Sequence, residues 1–181
     1  MSSGTATLTV GHPDASEYAP FYAGYVARVT EEPLVALESE ARAMSGLLAG
    51  VTEAQAGHRY AAGKWTVRDV ILHMADAERI MAYRALRIAR GDQTSLPGFD
   101  ENAYAVVAGA EGRALRDLVA ELATVRAATL ALFQGFDAEA WRRQGFANNV
   151  PVSVRALAHV IVGHQRHHAE GLRTRYGITP R

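Results

Sequence analysis

Apolar residues recur every three or four positions in four segments of this chain, which is the pattern of amphipathic α-helices. Residues that begin or end helices, notably glycine, proline, serine and threonine, stand between these segments. The pattern predicts four long helices, which run from near Pro33 to Gly50, from Thr66 to about Arg90, from about Glu111 to Phe133, and from Ser153 to about Arg175.

The starts of the second and fourth helices carry capping sequences. Thr66 is followed three residues later by Asp69. In such a capping box, the side chain of each residue accepts a hydrogen bond from the backbone N–H of the other. Trp65 and Val70 flank this pair in the positions of a hydrophobic staple. Ser153 precedes the fourth helix and is expected to cap its first turn.

The remaining segments are shorter. Residues 91–100 contain a Pro-Gly pair and predict a loop, whereas 101–109 and 137–142 each predict a helical turn or two, and 18–26 a short helix or packed arm. No stretch of useful length alternates apolar and polar residues as a strand does. The four long helices cover about half of the chain, well above the usual helix content, which favours an all-α four-helix bundle.

A chain of 181 residues is the size of one domain. We expect residues 18–181 to form this domain and residues 1–17, rich in serine, threonine and glycine, to form a flexible N-terminal segment. The first ten residues lack the basic region and apolar run of a secretion signal, and no stretch reaches the roughly 18–20 apolar residues of a membrane span. The expected location is therefore the cytoplasm, with no membrane partner.

Charge and cysteine content exclude several classes of function. Nineteen basic residues balance nineteen acidic ones, whereas a general nucleic-acid binder needs an excess of lysine and arginine. Without cysteine, the chain has no disulfide, no thiolate metal ligand and no thiol nucleophile of its own. The 34 alanines favour helices. Reactive chemistry therefore falls to histidine, or to a thiol that a bound molecule brings.

Histidines cluster in the fourth predicted helix. His164 and His168 are four residues apart, so they lie one turn apart on one face, which they share with the apolar residues Leu157 and Ile161. His73 lies on the apolar stripe of the second helix in the same way. The spacing predicts three imidazoles that project into the core of the bundle.

Three inward histidines need polar partners, because a buried imidazole nitrogen without one is costly. A divalent metal ion is a partner for all three, and three nitrogen ligands with an open position are typical of catalytic zinc sites. Hydrogen-bonded core histidines are the alternative interpretation. Helical spacing predicts that His159 faces outward and that His167 lies at the edge of the apolar stripe.

Charged residues near the face of His73 are further candidates. Asp76 is a candidate to orient His73 or to act as a base. Arg84 is a candidate either to bind an anionic substrate or to pair with a buried acid. Asp69 already has a capping role, and Glu78 is expected to face outward and pair with a surface arginine.

Several short motifs stand in a fixed order along the chain, from about Tyr18 to Tyr176. They are Gly63-Lys64-Trp65-Thr66, His73 with Glu78 beyond it, Arg84 through Asp92, Leu96-Pro97-Gly98-Phe99-Asp100, and Gly163-His164-Gln165-Arg166-His167-His168. In their order and spacing they make this chain resemble the DinB-like (damage-inducible) superfamily, especially its YfiT-like branch of metal-dependent hydrolases.

The resemblance implies an up-down-down-up four-helix bundle, often a homodimer. It implies a metal site at His73, His164 and His168 that holds a divalent ion, commonly zinc or nickel, with water where a fourth protein ligand is lacking. Related branches act with bacillithiol, glutathione or mycothiol, so the resemblance adds a low-molecular-weight thiol as a potential co-substrate.

Two classes of function stay open from the sequence. One is a metal-dependent enzyme, either a hydrolase or a thiol-dependent transferase, which acts on a small-molecule substrate. The other is a non-catalytic stress-response protein that binds a metal or a small ligand without turnover, since the sequence presents no obvious general base.

Overall fold

The computed structural model describes residues 9–180. They form α-helices, a two-stranded hairpin, and single 3₁₀ turns at Ala15–Glu17, Pro20–Tyr22 and Ala110–Gly112. The helices are α1 (Ala23–Val26), α2 (Pro33–Leu48), α3 (Glu53–Ala56), α4 (Val67–Ala89), α5 (Glu101–Val107), α6 (Leu115–Gln134), α7 (Ala138–Arg142) and α8 (Val154–Thr174). The strands are β1 (Gln144–Ala147) and β2 (Val150–Ser153). No helix among these residues is long and apolar enough to cross a membrane.

The long helices α2, α4, α6 and α8 form a four-helix bundle in which α2 and α4 each pack against both α6 and α8. The start of α6 lies beside α3, which directly follows the end of α2, because the Leu115 N–H donates to Glu53 (3.1 Å). It also lies beside the start of α4, because Arg59 pairs with both Asp69 and Glu111. The ends of α2 and α8 share one core cluster. The predicted up-down-down-up bundle is therefore confirmed.

The predicted caps fix where the two histidine-bearing helices begin. The Thr66 N–H donates to the Asp69 carboxylate (2.8 Å), and the Asp69 N–H donates to the Thr66 hydroxyl (3.0 Å). The Ser153 hydroxyl accepts a hydrogen bond from the Ala156 N–H (3.0 Å) at the start of α8. The third helix differs from its prediction, since α6 begins at Leu115 and the residues before it form a separate 3₁₀ turn.

The core consists of two apolar clusters, one at each end of the bundle. The first contains Phe133, Phe136 and Trp141, and the second, at the other end, is built from aliphatic residues and methionines. A layer of buried polar side chains separates them. This layer is where the candidate site lies.

Glu78, Arg126 and Gln165 form the centre of the polar layer and are buried. The guanidinium of Arg126 donates to both carboxylate oxygens of Glu78 (2.7 and 2.8 Å) and to the carbonyl of Leu37 (3.1 Å). It also donates to Gln165, whose amide donates to the carbonyl of Glu40 (3.2 Å). These bonds join all four helices at one level of the bundle.

The expectation that Glu78 faces outward is therefore wrong. Glu78 lies on the part of α4 that α6 covers, and it also lines the cavity that the three histidines share. A helix in the middle of a bundle has more than one buried face. Glu78 does pair with an arginine, yet the partner is the buried Arg126 rather than a surface residue.

One minor element of this helical fold was not predicted, because β1 and β2 form an antiparallel hairpin. Asn148 and Asn149 connect them with φ angles of 54° and 61°, which is the left-handed pair that a tight two-residue hairpin turn requires. Leu96 joins the edge of β1 through the Phe146 carbonyl (3.0 Å) and the Asn148 N–H (2.7 Å). The hairpin thereby holds the loop over residues 91–100 against the bundle.

The N-terminal segment predicted as flexible over residues 1–17 falls in two parts. Residues 1–8 lie outside the described residues. Residues 9–17 pack against α8, with Val10 buried and with the Glu17 carboxylate hydrogen-bonded to Arg155 (2.8 Å). This segment covers a face of α8 that the sequence pattern alone treated as solvent-exposed.

Candidate metal centre

Three imidazole rings converge at the level of the polar layer. The Nε2 atom of His164 lies 3.0 Å from Nε2 of His73 and 3.0 Å from Nε2 of His168. One ligand atom from each of the three histidines lies within 4.8 Å of the others, so a single ion would reach all three. The structure thus brings together the three residues that the sequence singled out.

The arrangement follows from helix geometry. His164 and His168 occupy successive turns of α8, and His73 lies in the second turn of α4, which packs antiparallel against α8. The capping pair that starts α4 therefore sets the rotation that turns His73 toward its two partners. Trp65, just before this cap, lies with its ring centroid 4.7 Å from that of His73 and forms a wall of the site.

Tyr25 forms another wall, and Gly163 allows it to lie there. The ring of Tyr25 contacts His164 and His167 edge-on, with centroids 5.5 and 5.6 Å apart. A Cβ atom on Gly163 would lie only 2.8 Å from the Cα of Tyr25 and closer still to its carbonyl group. Only glycine at this position of α8 permits so close an approach of the backbone of α1.

Burial holds the three imidazoles neutral. Desolvation lowers the pKa of His73 to about 4, although the negative charge of Glu101 opposes the shift. Desolvation and the charges of His73 and His167 lower the pKa of His168 to about 3. For His164, desolvation and then its three histidine neighbours hold the pKa well below the usual range. Neutral imidazoles present the lone pairs that a metal ion requires.

Hydrogen bonds among the three rings do not account for the arrangement as well as a metal does. The Nε2 atom of a neutral imidazole carries either one proton or one lone pair, so His164 cannot form a full hydrogen bond with both neighbours. Two metal–nitrogen bonds of about 2.0 to 2.1 Å at a tetrahedral angle place their nitrogen atoms about 3.3 Å apart. The observed separations and the all-nitrogen donor set therefore fit a divalent ion such as zinc.

The three histidines face a cavity of about 460 Å³. Its walls are largely aromatic and apolar, with Tyr22, Tyr25, Trp65 and Phe99 among them, and Arg84 contributes a positive charge. A second cavity of about 520 Å³ lies on the other side and shares Trp65 and His168 with the first. A small molecule in either cavity would lie next to the histidine cluster.

The other predicted site residues are not all in this cavity. Asp76 accepts a hydrogen bond from Arg79 (3.1 Å) and lines a small neighbouring cavity behind His73. Arg84 lines the cavity of about 460 Å³ and is buried. The carboxylate of Asp69 is occupied by the cap of α4, as predicted, because it accepts hydrogen bonds from the N–H and the hydroxyl of Thr66.

His159 corrects a prediction, because it is buried and not outward-facing, with 1% of its surface exposed. Its Nδ1 atom lies 2.8 Å from the carbonyl of Arg155, and its ring packs edge-on against His12 (5.0 Å between centroids). The N-terminal segment covers this face of α8. His159 does not belong to the converging cluster, as predicted, but it is part of the core. His167 is half-buried beside Tyr25.

Sequence reasoning gave little weight to Glu101 and Tyr25. Glu101 lines the cavity from the first turn of α5, and its charge acts on both His73 and Tyr25. The signal for Glu101 was its place directly after Asp100, whose carboxylate caps α5 through the N–H groups of Asn102 (2.9 Å) and Ala103 (3.0 Å). Tyr25 belongs to the segment predicted as a short helix or packed arm, but nothing in the sequence indicates what that segment packs against.

One solved structure that resembles this fold is YfiT from Bacillus subtilis, described as a probable metal-dependent hydrolase with an unusual four-helix bundle topology. The match has a TM-score of 0.72 at 19% sequence identity and covers 95% of this chain and 100% of YfiT. At this identity the likeness concerns the fold. No curated protein matches this chain significantly.

The histidine-bearing helices fall within a sequence match to a known family. The model of the DinB superfamily matches residues 36–171, which includes α4, α6 and most of α2 and α8. His73, His164 and His168 all lie within the matched range. By the extent of this match and by its bundle fold, the chain belongs to the DinB superfamily.

Proposed function

We propose that this protein is a metal-dependent enzyme in which His73, His164 and His168 hold one divalent ion, and that its reaction is a hydrolysis. The observation that carries the proposal is the convergence of three Nε2 atoms, two pairs of them 3.0 Å apart, at the wall of a cavity of small-molecule size. Three nitrogen ligands leave a coordination position open for chemistry.

The surrounding residues have separate roles in this proposal. A divalent ion supplies Lewis acidity, which lowers the pKa of water and polarises a substrate carbonyl. Glu101 lines the same cavity and is the base that we propose to accept the released proton. Tyr25 and Trp65 limit the access of bulk water and hold the histidine rings in place.

A thiol-dependent transfer is the second candidate reaction. Two cavities of about 520 and 460 Å³ share Trp65 and His168, so two molecules are able to approach the cluster from different sides. The chain has no cysteine, so a low-molecular-weight thiol would be the nucleophile. A reaction that requires such a thiol would favour transferase over hydrolase chemistry.

Further parts of the proposal rest on membership of the superfamily. Zinc is the ion that we propose first, and nickel second, because both accept neutral imidazole ligands. We also propose a homodimer located in the cytoplasm. The non-catalytic alternative is a stress-response protein that binds the metal or a small ligand in the same site without turnover.

The test combines metal content with turnover. Purified protein, saturated with zinc or nickel and then desalted, should contain one ion per chain, while the variants His73→Ala and His168→Ala should contain little. The matched control is His58→Ala, an exposed histidine that is not part of the cluster. Hydrolase and thiol-transfer substrates are then supplied to the loaded protein. Saturable turnover that disappears with a chelator supports the enzyme, whereas full loading without turnover on any of them favours the binding protein.

A further inference from the structure

Arg84 is a buried cation in the wall of the cavity that faces the histidines, with 3% of its surface exposed. It follows His73 on α4 by eleven positions, and long side chains on a helix point back toward its N-terminus. The guanidinium therefore lies along the same wall of the cavity as the cluster, at some distance from it.

The hydrogen bonds of Arg84 leave its charge without a counter-ion. Nη2 donates to the carbonyl of Pro97 (2.7 Å), and Nη1 lies 3.6 Å from the sulfur of Met81. Both acceptors are neutral. Within residues 9–180, no carboxylate forms an ion pair with Arg84.

Other arginines that this fold shields from solvent are paired with acids. Arg126 pairs with Glu78, Arg155 with Glu17, and Arg166 with both Glu31 and Glu40. Burial of an uncompensated charge is costly, and pairing with an acid offsets part of that cost. The sequence left two partners open for Arg84, a buried acid or an anionic substrate. The described residues offer no buried acid that pairs with Arg84, so they favour the anionic substrate.

The rest of the cavity wall indicates what kind of anion would fit. Arg84 is the one lysine or arginine among the described residues that line it. The acids that line it are Glu101 and Glu78, and the charge of Glu78 is paired with Arg126. One cation balances a monoanion, while a phosphate monoester with nearly two charges would be disfavoured. The aromatic wall, which includes Tyr22 and Phe99, suits an apolar body. A guanidinium with free N–H groups matches the geometry of a carboxylate.

We propose that Arg84 anchors the carboxylate of a small organic acid whose apolar body lies between the aromatic walls, with its far end toward the histidine cluster. The proposal deepens the proposed function, on which it rests for the identity of the reacting end. It makes Arg84 a residue that selects the substrate by charge, whereas the histidines act at the other end.

The test compares two probes of the same shape, 4-phenylbutyrate and its neutral amide, by calorimetric titration. Both the metal-loaded and the chelator-treated full-length protein are titrated. In both forms the carboxylate should bind more tightly than the amide, by about tenfold or more for a charge-assisted pair. Arg84→Met should abolish this preference, and Arg84→Lys should retain part of it. Arg116→Met is the control, because Arg116 is exposed.

Equal affinity for the two probes in the wild-type protein, or no binding of either, would overturn the proposal. Retention of the carboxylate preference in folded Arg84→Met would do the same. Should Arg84→Met fail to fold, the wild-type comparison and Arg84→Lys decide. The chelator-treated arm separates this proposal from the proposed metal site. If the protein prefers the carboxylate but never loads metal, the role of Arg84 stands and the metal-dependent enzyme is ruled out.

Discussion

The backbone of Tyr25 lies so close to Gly163 that a Cβ atom on Gly163 would come within 2.8 Å of the Cα of Tyr25. This contact sets α1 against α8 one residue before His164. It therefore links the packing of an N-terminal helix to the position of a candidate ligand.

Gly163→Ala should force α1 away from α8. We expect a loss of about 1–3 kcal/mol in the free energy of unfolding, as for other over-packed cores, together with weaker metal binding as Tyr25 leaves His164. Gly171→Ala is a matched control on the same helix, since a Cβ atom there meets nothing within 4 Å. Urea denaturation and metal titration of both variants check this, and equal behaviour of the two would contradict it.

The buried pair of Glu78 and Arg126 should matter far more to stability than an exposed pair. Glu78→Gln leaves Arg126 buried without its counter-ion, so we expect a loss of about 3–5 kcal/mol in the free energy of unfolding. Glu139→Gln breaks the exposed pair with Arg143 and should cost under about 1 kcal/mol. Similar losses in the two variants, measured by denaturant unfolding, would show that the polar layer does not join the helices.

The metal-free protein should lose stability as the pH falls from about 7 to about 4. The pKa values of His73 and His168 are about 4 and about 3 in the folded chain. Their ordinary value in an unfolded chain is about 6.5, so below that pH the unfolded chain binds more protons than the folded one. The free energy of unfolding is therefore undiminished by these two groups above about pH 6.5, and it decreases as the pH falls toward their folded pKa values.

Urea unfolding of the chelator-treated protein at a series of pH values measures this dependence. The variant His168→Asn should show a shallower loss than the wild type, because one shifted group is gone. The exposed His58→Asn should follow the wild type. A free energy of unfolding that stays constant across this range would mean that the cluster is not held neutral by burial.

His159 and His168 should behave differently although both lie on α8. His159→Asn removes a buried ring that bonds the Arg155 carbonyl, which should cost about 1–3 kcal/mol of stability but leave one metal ion per chain. His168→Asn should lose the metal and cost less in the metal-free protein. Elemental analysis beside thermal unfolding separates the two. Loss of metal from folded His159→Asn would place His159 within the site.

The four long helices and the convergence of three histidines could be predicted because both depend on short-range regularities. Apolar spacing identifies the face of α4 and α8 that packs, and the cap at Thr66 fixes the start of α4. The four-residue spacing of His164 and His168 places them one helical turn apart on the same face. These features need no knowledge of which segments meet.

Glu78 and His159 could not be predicted in the same way, because a helical wheel assumes one buried face. In the structure, α4 packs against both α6 and α8, and residues 9–17 cover the outer side of α8. The hairpin was missed because its strands are four residues long, although Asn148-Asn149 is a turn signal. The close approach of Tyr25 to Gly163 is a long-range contact that leaves no periodic trace.

The most direct test of the central claim is anomalous diffraction from a crystal of the zinc-loaded protein, recorded above and below the zinc absorption edge. We predict one strong anomalous peak per chain, about 2.0 to 2.1 Å from the Nε2 atoms of His73, His164 and His168. A zinc peak at any other place in the chain, or no peak between these three atoms in fully loaded protein, would contradict the proposed metal centre.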